Sequence, residues 1–408
     1  MQAASPGFFT RNLRGDNMRL NKRQWMGSAV AALLAAAAPW AAHAGGVSDK
    51  EIVIGTHMDL SGPVAAGMPQ LRNGTQMRFD EVNEAGGIHG RRIRFIVEDN
   101  ASQPQQAVRA VDKLIRKDDV FAMVNPFGSG TNAAVVKRAV DEGVIYFAPW
   151  AASAVLQQIA GKSPRLFTTV PDYHTTTHLG LTWLLDQNPN FKKVGWVYME
   201  GPFGDLIGRG VKSAMAAKNM TLAAEASYKP GEIDFSSQVA RMRAAGVDLI
   251  VMATITRETV GMMTEIKKIG WNNVAVLTGN PGRTSIVSKL GKDAIEGLYG
   301  VGTWKILDAA TATADKAWVD SYKKRFNLDP DENAFLAYAY ADWFVKGLQA
   351  AGRNLTTDSA VKALQATSSN HPVFLGPASF KNNHFDPELV TVDQARGGTW
   401  RPVSPVLK

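Results

Sequence analysis

Four consecutive residues, Gly128-Ser129-Gly130-Thr131, offer the plainest chemistry in this 408-residue chain. They lie between the apolar run Val120-Phe121-Ala122-Met123-Val124 and an apolar-periodic stretch, where a strand hands over to a helix. The N–H groups that open a helix have no partner inside it, and the helix dipole adds partial positive charge there, which suits a carboxylate. Ser129 and Thr131 bring hydroxyls that either bind such an anion or cap the helix. The loop also reads Gly128-x-Gly130-x-x-Ala133, a variant of the dinucleotide fingerprint. A dinucleotide site requires an acid ending the next strand; here that strand ends Ala148-Pro149, and the loop follows the third strand instead of the first. No cofactor is expected.

Other reactive constellations are missing. His174 and His178 share a helix face four residues apart, but no third ligand accompanies them, so a surface pair is expected and no metal. There is no cysteine and no Gly-x-Ser-x-Gly elbow, and the seven histidines fall in no triad motif, so the chain does not read as an enzyme. Arg257 and Arg283 follow strands of the second half, where they either meet a second anionic group or, the more ordinary reading, stand as solvated surface charges.

The first 44 residues read as a secretory leader. Arg19, Lys22 and Arg23 precede the apolar run from Met26 to Ala38, and Ala42-His43-Ala44 fits a small-x-small cleavage site after Ala44. Residues 1–17 read as an upstream extension, with Met18 as an alternative start. The leader carries five Lys/Arg and one Asp/Glu, so its removal lowers the formal charge from +8 to +4 over 364 residues. That balance does not call for nucleic acid. The absence of cysteine means that an exported product has no disulfides, and its length permits two cores without them.

The elements that must hold the glycine loop alternate along the chain. Glu51–Thr56 reads as a strand, and Leu71, Thr75, Phe79 and Val82 share one face of a helix that stops at Gly86-Gly87. Ile93, Phe95 and Val97 alternate on a second strand, which completes a βαβ unit and implies a parallel sheet. A helix from Pro104, strand 120–124, helix 131–142 and strand 144–148 continue the pattern. Phe167–Pro171 reads as a passage to a second run: helix 174–186, strand 194–198, helix 205–218, strands 247–252 and 274–277 with helix 260–269 between them. Gly297–Gly302 reads as a second passage. The aromatic-rich helix 333–350 must pack on something large, and the tail from Phe374 reads as short strands. The fold class is α/β, with two doubly wound parallel-sheet lobes.

Several segments in this order carry a resemblance. Asp59-Leu-Ser-Gly-Pro63, Asn83-Glu-Ala-Gly-Gly-Ile-His-Gly90 and Glu98-Asp-Asn100 resemble the opening of the leucine/isoleucine/valine-binding family, periplasmic receptors of ABC importers. Phe127-Gly-Ser-Gly-Thr-Asn132 and Ala148-Pro-Trp-Ala-Ala-Ser153 look like its two ligand loops in lobe one. Phe167-Thr-Thr-Val-Pro171 resembles its first hinge strand, and Tyr198-Met-Glu-Gly-Pro-Phe-Gly204 its cleft loop in lobe two. Asp234-Phe-Ser236 and Gly376-Pro377 extend the likeness over residues 47–408.

The resemblance implies a type I periplasmic binding protein fold with three crossovers and a ligand cleft between the lobes. Lobe one is expected to hold 47–168 and 300–372, and lobe two 169–299 and 373–408. It implies ligand contacts at Phe127, Gly128, Ser129, Thr131, Ala151, Ser153, Phe203 and Asn280. Amino-acid binders of this kind often carry an acid where this chain has Asn280, and a neutral amide cannot supply the charge-assisted bond to an ammonium. Either Asp172 or Glu200 substitutes, or the ligand is a carboxylate without an amine. The expected function is capture of a small carboxylate-bearing solute in the periplasm by a monomer that delivers it to an inner-membrane ABC permease. A ligand-sensing receptor on the same fold is the alternative.

Overall fold

The computed structural model describes residues 45–151, 154–309, 312 and 315–408. The leader segment 1–44 and Ser153 lie outside the described residues.

The first sheet contains β1 (Glu51–Met58), β2 (Arg92–Asp99), β3 (Ala122–Val124), β4 (Ile145–Phe147) and β5 (Leu166–Phe167), all parallel, in the order β2-β1-β3-β4-β5. Period-two alternation on β1 sorts its side chains between two helix layers. Ile52 and Ile54 share a core with Phe79 and Val82 of helix Met68–Glu84. Val53 packs with Ala107, Val111 and Leu114 of helix Pro104–Arg116. The 19-residue helix Glu332–Ala350 lies on helix Met68–Glu84 and buries Phe335, Tyr340, Trp343 and Phe344. Its contact at Gly74 is so close that a Cβ there would sit 2.2 Å from the Ala334 carbonyl oxygen.

The second sheet takes up β6 (Val194–Met199), β7 (Ala224–Tyr228), β8 (Leu249–Ala253), β9 (Ala275–Thr278) and β10 (Tyr299–Gly302). A hairpin of β11 (Ser379–Lys381) and β12 (His384–Asp386) follows helix Thr357–Ala366. The chain then returns as β13 (Thr391–Arg396) and β14 (Thr399–Pro402), giving the order β14-β13-β10-β9-β8-β6-β7. β13 and β14 run antiparallel, so the second sheet is mixed, not wholly parallel. β7 falls in a segment that the sequence reading left without a strand, because its Ala-Glu-Ala-Ser-Tyr pattern leaves every second residue exposed on an edge.

The first passage runs through Thr168–Asp172 into helix Tyr173–Gln187. The other two fall at different places. Tyr299–Gly302 is ladder-bonded to β9 and β13, so the second crossing begins at Thr303. The β11–β12 hairpin belongs with lobe one, since Phe380 packs on Trp343, Phe147 and Phe167. The third crossing therefore follows Asp386. Glycine-rich and short aromatic segments carry too weak a period to assign a sheet without their partners. The first two crossings are tied to lobe one: Phe385 N–H donates to the Thr168 carbonyl at 2.9 Å, Lys305 N–H to the Val373 carbonyl at 2.8 Å, and Tyr340 Oη to the Thr169 carbonyl at 3.0 Å.

Candidate functional site

The glycine loop is fixed from behind by a buried polar chain. Asn100 Nδ2 donates to His57 Nδ1 at 2.9 Å and to the Phe127 carbonyl at 3.0 Å. With Nδ1 accepting, Nε2 carries the proton and donates to Tyr146 Oη at 2.8 Å; that hydroxyl in turn donates to Asn132 Oδ1. Asn132 Nδ2 closes the chain on the Pro126 carbonyl at 3.2 Å. Complete burial pushes the His57 pKa down to about 3 and raises that of Tyr146, so both stay neutral. These donors and acceptors join the end of β1, residue 100, β4 and the loop into one unit.

The loop itself pairs with the segment after β4. Trp150 N–H donates to Pro126 O at 2.7 Å and Gly128 N–H to Trp150 O at 3.2 Å. Gly128 has φ +102, and a Cβ there would lie 2.5 Å from Thr131 Oγ1, so only glycine fits without strain. The helix begins at Ser129, two residues earlier than the sequence period indicates, which places the Ser129, Gly130 and Thr131 amides in its unpartnered first turn.

The two hydroxyls divide between the two roles open to them. Thr131 Oγ1 is turned inward, against Phe127 O at 2.5 Å and Gly128 O at 3.0 Å, and serves the loop. Ser129 is half-buried and its hydroxyl has no partner among the described residues. Phe127 is half-buried against Met58, Met68 and Leu71, and Ala151 is buried in the layer of helix Pro104–Arg116.

Helix Pro202–Ala217 of lobe two comes within 8 Å of helix Ser129–Asp141 between Cα atoms. Its Phe203 is buried edge-on to Tyr173, ring centroids 5.4 Å apart. Four residues on, Ile207 would lie 3.5 Å from a Cβ at Gly279, which brings the Asn280–Gly282 turn against the same helix. Asn280 is buried, with Nδ2 on Thr303 Oγ1 at 3.2 Å and no partner for Oδ1 among the described residues.

The acids nearby are mostly engaged. Arg283, read from the sequence as a surface charge, is 1 % exposed and grips Asp393 through Nε at 2.7 Å and through Nη2. It follows a strand at a turn, which the sequence cannot distinguish from an exposed corner; Gly302 makes the space, since a Cβ there would meet Nη1 at 2.1 Å. Glu332 opens a lobe-one helix yet accepts the Ser285 N–H at 2.8 Å and its hydroxyl, from lobe two. Burial, then the neighbouring Asp331 charge, raises the Glu332 pKa. Glu258 is buried, and burial raises its pKa too. Asp172 accepts the Ala154 N–H at 3.1 Å, and exposed Glu200 accepts the Ser227 hydroxyl at 3.0 Å. His174 and His178 stack at 6.3 Å, and no group of three metal-binding side chains occurs among the described residues.

Aromatic residues that the sequence reading passed over stand beside the loop. Trp150 and Trp304 have ring centroids 6.5 Å apart, and Tyr340 lies 6.5 Å from Trp150. Trp150 and Trp304 occur singly, one in a loop and one at a crossing, so only the fold shows that they meet.

Two lobes, three crossings and a loop-and-helix cleft mark a solute receptor, and a model of periplasmic binding proteins matches residues 51–395. The chain belongs to the periplasmic binding protein family. Among its relatives is the Leu/Ile/Val-binding protein BraC3 of Rhizobium johnstonii, 26% identical over 77% of this chain and 83% of the relative. The fold is shared with a fatty acid ABC transporter substrate-binding protein from Thermomonospora curvata (TM-score 0.76, 24% identity, 89% of this chain and 94% of that one). It is shared also with an ABC transporter solute-binding protein from R. palustris in complex with benzoate (TM-score 0.77, 18% identity, 87% and 97%). These periplasmic binding proteins are transport proteins as a family, not enzymes. Among the described residues no helix is long and apolar enough to cross a membrane.

Proposed function

We propose that this periplasmic binding protein captures a small carboxylate-bearing solute between its lobes and delivers it to an inner-membrane ABC permease. The observation that carries the reading is the Ser129 helix start: three amides and a hydroxyl without a partner among the described residues, backed by the His57 chain, on a helix that comes within 8 Å of helix Pro202–Ala217 of the other lobe. Closure over the guest excludes water, so these dipoles act at a lower effective dielectric and hold the carboxylate without a counter-ion. The guest drives closure only by binding the closed form better than the open one. Phe127, Gly128, Ser129, Ala151 and Ser153 serve lobe one; Phe203 and Asn280 serve lobe two. Thr131 shapes the loop instead of touching the guest.

An amine-free acid is favoured over an α-amino acid. Position 280 is a neutral amide, Asp393 is consumed by Arg283, and Glu332 by Ser285. The benzoate and fatty-acid proteins of the same fold handle guests of that class, whereas the relatives' names include Leu/Ile/Val. The receptor acts in the periplasm as a monomer.

Mass spectrometry of copurifying solutes, then a thermal-shift panel of leucine, benzoate and octanoate, tests the assignment. A guest at a hundred times its Kd stabilises by about 2.7 kcal/mol. Ser129→Trp is expected to abolish that stabilisation and leave the melting temperature without guest nearly unchanged. Unaltered binding removes the loop from the site; tight leucine binding without binding of simple acids refutes the amine-free assignment.

A further inference from the structure

We infer that the Trp304 indole N–H is a recognition donor for an oxygen of the captured solute, on an aromatic floor shared with Trp150 and Tyr340. The inference rests on the receptor reading above and adds to it a residue and a guest shape: a flat or extended apolar acid.

Three aromatic residues with polar handles meet beside the glycine loop, and two of the handles are spent inside the protein. Trp150 Nε1 donates to Asn125 Oδ1 at 3.2 Å, and Tyr340 Oη donates to Thr169 O at 3.0 Å. Trp304 is 7 % exposed, yet its Nε1 has no acceptor among the described residues. A buried indole N–H usually finds a partner, because leaving it dry forfeits its hydration without return. The Trp304 backbone is anchored on both sides: its segment bridges Phe374 through the Lys305 N–H on the Val373 carbonyl at 2.8 Å, and the Trp304 carbonyl accepts Arg283 Nη2 at 3.0 Å. The ring is therefore held in place while its donor stays unsatisfied.

Its position links the donor to the guest. The Trp304 ring lies against Trp150, whose backbone pairs with Phe127 and Gly128, so the free N–H belongs to the same loop cluster as the Ser129 amides. Trp304 also lies at the start of the second crossing, one residue after Thr303, which holds Asn280. Asn280 Oδ1 and Arg283 Nη1 are further buried polar atoms beside this segment without a partner among the described residues. A guest oxygen placed on Trp304 Nε1 would satisfy the donor only when the crossing and the loop are together. The half-buried ring of Trp150, backed by the buried Tyr340, would then cover the guest's apolar body.

Trp304→Phe keeps the ring and deletes the N–H. Titrations of benzoate, octanoate and leucine into wild type and W304F, followed by thermal shift and calorimetry, test the inference. Whichever probe binds wild type is expected to bind W304F about tenfold more weakly, the scale of one hydrogen bond shielded from water. The melting temperature without probe is expected to stay the same or rise, because an unpaired donor is removed. In wild type, the 15N-indole resonance absent from W304F is expected to shift when the probe is added, a readout that does not depend on the variant's folding. A wild type that binds while W304F binds equally, or an indole resonance that stays put, overturns this inference alone. A wild type that no probe stabilises overturns the receptor reading and this inference with it.

Discussion

Replacing His57 by Gln tests whether the glycine loop is held by a neutral imidazole. Burial lowers the His57 pKa from 6.5 to about 3, so between those values the unfolded chain binds a proton that the folded one refuses. Stability gained from the neutral ring is therefore complete above the unfolded value and is lost progressively as pH falls towards the folded one. Each pH unit within that window is worth about 1.4 kcal/mol, so going from about pH 6.5 to about pH 4.5 removes ~3 kcal/mol. Glutamine cannot titrate. At about pH 7.5 the variant should be less stable by roughly 2–3 kcal/mol, since it disrupts a chain of buried hydrogen bonds. By about pH 4.5 that gap should close, because only wild type carries the proton-linked loss. Urea unfolding of both proteins across this range measures it, and taking the difference cancels opposing groups such as Glu332. A gap that stays constant with pH would show that His57 titrates normally and that the neutral chain behind the loop is wrong.

Two other perturbations probe the cleft walls. Arg283→Met leaves the Asp393 carboxylate buried without its partner and should cost about 3–5 kcal/mol, with most of the loss recovered in the double variant with Asp393→Leu; a single-variant cost below about 1 kcal/mol in urea unfolding contradicts the burial of this pair. Glu332, whose pKa is raised, contributes stability present at low pH and lost as pH rises above the ordinary glutamate range. Glu332→Gln should therefore flatten the decline of melting temperature towards alkaline pH, and an unchanged slope would place the titrating group elsewhere.

Alternation of apolar strands with amphipathic helices determined the α/β class, because periods of two and of 3.6 residues are local properties. The strand-to-helix turn at Gly128 was legible too, since such a turn needs a residue free to take positive φ, although the helix starts two residues earlier than its apolar period indicates. The ordered segments from Asp59 to Pro377 gave the family and its cleft. Tertiary structure alone decided which lobe takes residues 299–302 and 379–386, because short strands choose partners through long-range packing. It alone buried Arg283 on Asp393, turned Thr131 inward while leaving Ser129 free, and set Trp304 beside Trp150. Arg283 and Asp393 stand 110 positions apart and Trp150 and Trp304 farther still, so no window of sequence records their meeting; Thr131 bonds only three and four residues back, but the turn that lets it do so is held by the loop's pairing with Trp150.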